Sequence, residues 1–103
     1  MAFNGTEGEI ITLAEGAAMT KRWRDGNSNG NAVTYGKDIL NQLLEQSDCV
    51  GIRFHFAIDN DGKNTLVLTG VDANENDVLS IIADRGVKCP ILCGNRNGLN
   101  SDN

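Results

Sequence analysis

The most regular alternation of apolar and polar positions runs from Cys49 to Val71. Val50, Ile52, Phe54, Phe56 and Ile58 take every second position, with Gly51, Arg53, His55 and Ala57 between them. Period two predicts a half-buried strand, because successive side chains leave opposite faces of the pleat. Asp59-Asn60-Asp61-Gly62 follows, a cluster in which Asp and Asn bond their own backbone and Gly62 turns the chain at little cost. Leu66 and Leu68 then return on the face of Phe54 and Phe56. An antiparallel hairpin is predicted, with Phe54 and Phe56 anchoring the core.

A different period governs the flanks. Thr12-Leu13-Ala14-Glu15 spells a capping box, and a helix from there to about Arg24 is expected to turn Leu13, Ala17, Met19 and Trp23 inward. Gly16 weakens that helix and marks a close contact. A loop at Asp25–Asn31 and a short extended piece at Ala32–Tyr35 lead to a second helix, about Lys37–Gln46. There Ile39, Leu40, Leu43 and Leu44 recur at three and four, an apolar stripe opposite Asn41, Gln42, Glu45 and Gln46. Asn76 or Asp77 is read as the cap of a short third helix, Val78–Asp84, with Gly86 at its C-terminus. Ile91 and Leu92 suggest that the tail packs back. The sum is an α+β fold: two amphipathic helices packed on a small antiparallel sheet built around a central hairpin. One domain spans 1–103, with 1–8 and 95–103 as loose tails.

Strand edges raise a further expectation. The second strand, Thr65–Val71, carries no charge to protect its edge. Either Val87–Leu92 covers it as a third strand, or a second copy of the protein does. Pro90 lacks an N–H and weighs against full pairing of the tail, so a homodimer or small oligomer formed through the sheet is expected.

Composition narrows the functional classes. Nine Lys and Arg against 14 Asp and Glu give a net charge of −5, which disfavours nucleic acid, since phosphate neutralisation dominates that affinity. The one basic cluster, Lys21-Arg22-Trp23-Arg24, reads as a helix C-terminal turn. No apolar run is long enough to span a bilayer, and no secretory signal is visible at the N-terminus, so a cytoplasmic protein without membrane partners is expected.

The candidates for chemistry are few. Cys49, Cys89, Cys93 and the single His55 are just enough for a Cys3His zinc site. Cys49 and His55, six residues apart on one strand, would however stand roughly 20 Å apart at about 3.3 Å per residue, whereas zinc ligands lie about 2.0–2.3 Å from the metal. A metal site could still use Cys89, Cys93 and one of the two, taken as His55, with a ligand missing; buried thiols and a disulfide stand beside it. A Cys–His dyad would lack an orienting carboxylate. Asp59–Gly62 fails as an EF-hand, because alignment on Gly62 puts Ala57 first and Leu68 last. No phosphate-binding or nucleophile-elbow motif occurs, and no catalytic template is met. Arg53, His55 and Arg85 are the candidate binding residues for an anionic ligand.

Tyr35-Gly-Lys-Asp38, Cys49-Val-Gly-Ile-Arg53, Leu66-Val-Leu-Thr-Gly-Val-Asp-Ala73, Asp84-Arg-Gly86 and Cys89-Pro-Ile-Leu-Cys-Gly94 together resemble a family of short bacterial proteins of the Bacteroidetes type. That family has no established activity, so the resemblance implies a compact intracellular domain and no catalytic residue. It often shows a second Pro where this chain has Ile91. The expectation for function is a non-enzymatic module, without cofactor, that binds a partner protein or itself. The alternative is a small zinc-binding or thiol-dependent protein using Cys89 and Cys93.

Overall fold

Thr12 starts the first helix as its capping box requires. Its Oγ1 accepts the Glu15 N–H at 3.1 Å, and the Glu15 carboxylate accepts the Thr12 N–H at 3.3 Å. The structure, a computed structural model, describes residues 2–27 and 29–102. Met1, Ser28 and Asn103, which the sequence places in the tails and the 25–31 loop, lie outside the described residues. The elements are α1 (Leu13–Gly26), β1 (Ala32–Thr34), α2 (Lys37–Leu44), β2 (Cys49–Ile58), β3 (Asn64–Asp72), β4 (Asp77–Ala83) and β5 (Val87–Cys89). They form two antiparallel sheets, β2-β3-β4 and β1-β5. The class is therefore α+β, with two sheets where one was expected.

Strands β2 and β3 pair with Phe54 opposite Leu68 and Phe56 opposite Leu66, which puts the four on one face as alternation predicts. Asp59 closes the turn, its carboxylate accepting the N–H groups of Asp61 and Lys63. The core lies where α2 crosses this sheet. Leu43 and Leu68 are fully buried beside Ala83, with Tyr35, Ile39, Leu40, Ile52, Leu66 and Ile81 around them.

Phe54 and Phe56 do not anchor that core. Phe54 is half exposed and Phe56 is 94% exposed. The reason is a mismatch of lengths. Eight residues of α2 rise only about 12 Å at about 1.5 Å each, whereas ten residues of β2 run roughly 33 Å at about 3.3 Å each. The helix covers Ile52 and Leu68, and the strand continues past it.

Nor does α1 supply the missing cover. None of its described residues is buried, and Leu13, Met19 and Trp23 stay largely exposed, contrary to the inward face expected. Its partner is the C-terminal segment, read from sequence as a frayed end. Arg24 donates to the Leu99 carbonyl at 2.7 Å and to Asp102 at 2.8 Å. Leu99 lies so close to Gly16 that a Cβ there would stand 3.1 Å from its Cδ2. Hydrogen bonding to Arg24 and the nearby Lys21 charge hold the Asp102 carboxyl below its ordinary pKa.

The segment expected to form a third helix is strand β4. Val78, Ile81 and Ile82 are β-branched and suit a pleated surface better than a helix, and the open edge of β3 supplies hydrogen-bond partners along Leu68–Val71. Asp72 folds the connecting turn by accepting the N–H groups of Asn74 and Asn76, both at 2.9 Å. Gly86 is not a helix cap: a Cβ there would fall 2.5 Å from Val33 Cγ1 and 2.6 Å from the Tyr35 ring. The tail strand β5 pairs with β1, Ala32 opposite Cys89, rather than with the hairpin.

The edge of β3 is thereby closed within one chain. Beyond β4, Asn64 donates its N–H to the Asn29 carbonyl at 2.8 Å, and the Tyr35 hydroxyl donates to the Leu66 carbonyl. The premise that β3 needs a second copy or Val87–Leu92 at its edge does not hold. Burial pushes the Tyr35 hydroxyl pKa up, so this bond keeps its proton.

Candidate functional site

Two features of the hairpin stand apart from its packing, one on each face. On the odd-numbered face, Arg53 and His55 of β2 meet Thr69 of β3 and Asp77 of β4. Arg53 donates to Asp77 Oδ1 at 2.9 Å, Thr69 Oγ1 donates to the same oxygen at 2.9 Å, and His55 Nε2 stands 3.1 Å from Thr69 Oγ1. His55 Nε2 is 3.5 Å from Asp77 Oδ1. The hydrogen bond from Thr69, then the Arg53 and His55 charges, hold the Asp77 carboxyl below its ordinary pKa. A second guanidinium nitrogen of Arg53 reaches the Glu75 carbonyl at 3.3 Å, and its carbon lies 5.8 Å from the centre of the Phe3 ring.

The charges of this cluster pair within it. Its one carboxylate answers its guanidinium, and the Thr69 hydroxyl is buried and spends its proton on Asp77. Nothing here presents an activated nucleophile. Of the three residues predicted for an anion, the structure brings Arg53 and His55 together, while Arg85 forms no hydrogen bond or ion pair with a described residue. Asp77 was missed because it reads as a helix cap, whereas alternation already sets Thr69 on the face of Arg53 and His55.

The proposed metal set does not assemble. Among the described residues, no three His, Cys, Asp or Glu side chains gather as metal ligands. Cys89 and Cys93 are bonded to each other as a disulfide. The free thiol is Cys49, half-buried, with its Sγ 3.1 Å from the Gly51 carbonyl.

The even-numbered face carries the second feature. Past the end of α2, Phe54, Phe56 and Ile58 form an apolar strip, exposed at 51%, 94% and 66%. The strip runs into a groove of about 630 Å³ between the hairpin, α1 and β1. Met19, Trp23, Val33, Leu66 and Leu99 are among the apolar residues that line it. The Trp23 indole is fixed there by its N–H, which donates to the Gly30 carbonyl at 3.0 Å. Sequence assigned Met19, Trp23, Phe54 and Phe56 to the core, because apolar periodicity shows a face and not what covers it.

No helix among the described residues is long and apolar enough to cross a membrane. Comparison with protein families, with curated proteins and with solved structures gives no match. The site's reading rests on its geometry.

Proposed function

We propose that this protein is a non-enzymatic module that binds another polypeptide chain, and that the Phe54–Phe56–Ile58 strip with its groove is the recognition surface. The observation that carries this reading is Phe56, an aromatic side chain left 94% exposed at the mouth of an apolar groove. Contiguous exposed apolar surface favours association, since burying it gains roughly 25 cal/mol per Å². The groove has few polar groups to orient a small molecule, whereas the strip runs on along an extended backbone, the setting in which polypeptides are recognised. In the Arg53–His55–Thr69–Asp77 cluster the charges answer one another and no nucleophile is activated, which supports a binding rather than a catalytic role.

Selection of displayed random peptides on the purified protein tests this. Peptides with alternating apolar residues are expected to enrich, to lose binding on Phe56→Asp, and to keep it on Ile91→Asp, an equally exposed site. Failure of any sequence to enrich, or indifference to Phe56→Asp, would overturn the reading.

A second reading, a thiol-dependent protein, is favoured by one observation: Cys89 and Cys93 lie within disulfide distance, four residues apart. If that pair carries the function, Cys89→Ser and Cys93→Ser would abolish thiol–disulfide exchange with a small dithiol while leaving the fold and peptide binding intact.

A further inference from the structure

The outer edge of β2 has a polarity that can be read residue by residue. Asp59 donates its N–H to the Lys63 carbonyl, so the 59–63 pair is hydrogen-bonded. Hydrogen-bonded and non-bonded pairs alternate in an antiparallel ladder. The register Ala57–Thr65, His55–Val67 and Arg53–Thr69 therefore turns the main-chain groups of the odd-numbered residues toward β3. Those of Ile52, Phe54, Phe56 and Ile58 point away from it. The bonds at even-numbered residues of β3 agree: Asn64 and Leu66 use their main-chain groups on the side away from β2.

Nothing among the described residues pairs with that edge, since β3 is the one strand bonded to β2. At the start of the strand, Gly5 comes near the Val50 carbonyl. From Ile52 to Ile58 the edge is open. It also lacks the usual protections, having no Pro, no Lys and no bulge there, and its one arginine is neutralised by Asp77.

We infer that two copies of this chain pair antiparallel through the outer edges of their β2 strands, around a two-fold axis at Phe56. This rests on the polypeptide-binding reading and names its occupant. Outward N–H and C=O groups at alternate residues call for an extended backbone. A second β2 supplies one whose outward groups carry the same parity. With Phe56 on the axis, Phe54 faces Ile58 of the second copy, so apolar side chains meet on one face. On the other face, His55 comes opposite Ala57 and Arg53 opposite Asp59, so no like charges are set together. Moving the axis to His55 would set the two imidazoles against each other. The joined sheets place both Phe56 rings side by side, next to both grooves.

Sedimentation of the full chain tests this. At high micromolar concentration the mass should approach twice 11.1 kDa, and Phe56→Pro and Phe56→Lys should return it to the monomer. Neither change removes a bond to β3, and an unchanged circular dichroism spectrum would show that the fold is kept. As concentration rises, amide exchange at Phe54, Phe56 and Ile58 should slow severalfold, including in a wild-type sample studied without any variant. A monomer at every concentration overturns the pairing. So does a dimer in which these three amides stay unprotected. Peptide selection is independent of both results, so the binding reading can survive the loss of the dimer.

Discussion

Removing Leu68 should cost far more than removing the larger Phe56. Leu68 is fully buried and belongs to one cluster with Leu43 and Ala83, under α2. Leu68→Ala deletes that contact and leaves a cavity that two sheet neighbours and a helix cannot close, at a cost of about 2–5 kcal/mol. Stability for a domain is about 5–15 kcal/mol, so the loss is a large share. Each kcal/mol lowers the thermal midpoint by roughly 4–8 °C at this size. Phe56 is 94% exposed, and Phe56→Ala should fall within about 0.5 kcal/mol of the wild type. The assay is urea unfolding at low protein concentration, where association contributes nothing. If Phe56→Ala proved as damaging as Leu68→Ala, the ring would be covered within a single chain. The strip and the groove would then not be a recognition surface.

Other expectations are briefer. Gly86→Ala should destabilise by about 1–3 kcal/mol, because the new methyl meets Val33, which is stiff at χ1, and a Tyr35 ring tethered to Leu66; a neutral result in thermal unfolding would contradict that packing. Asp77, with its pKa lowered from 3.8, adds stability that is complete above pH 3.8 and is lost as pH falls through its folded value. The stability gap between wild type and Asp77→Asn should accordingly shrink in acid, and a gap that widened would refute the assigned bonds. A strong chelator should leave the thermal midpoint unmoved, since no metal-ligand cluster forms among the described residues.

What was legible in the sequence is what local chemistry decides. The Thr12–Glu15 cap, the faces of the hairpin and three of the four positions of the Ile39–Leu40–Leu43–Leu44 stripe follow from spacings within a few residues; Leu44 stays half exposed. Parity also placed Arg53 and His55 together on one face. The failures are tertiary. Val78–Ala83 has no strict alternation, because β4 joins β3 across an irregularity between Thr69 and Gly70, and it reads equally as a short helix. Its misassignment hid Asp77 from the cluster and left β3 seeming bare. Apolar positions on α1 and at the far end of β2 were taken for core because the sequence does not state that α2 is too short to cover both. The same shortfall exposes the strip on which the proposed function rests.

The open edge of β2 can be measured directly by amide hydrogen exchange on dilute, monomeric protein. Arg53, His55 and Ala57 bond to β3 and should exchange slowly, while Ile52, Phe54, Phe56 and Ile58 between them should exchange fast. Such an alternation along one strand is expected only where one edge is paired and the other faces water. Uniform protection from 52 to 58 in the monomer would show that the chain covers this edge itself, and the recognition surface would be lost with it.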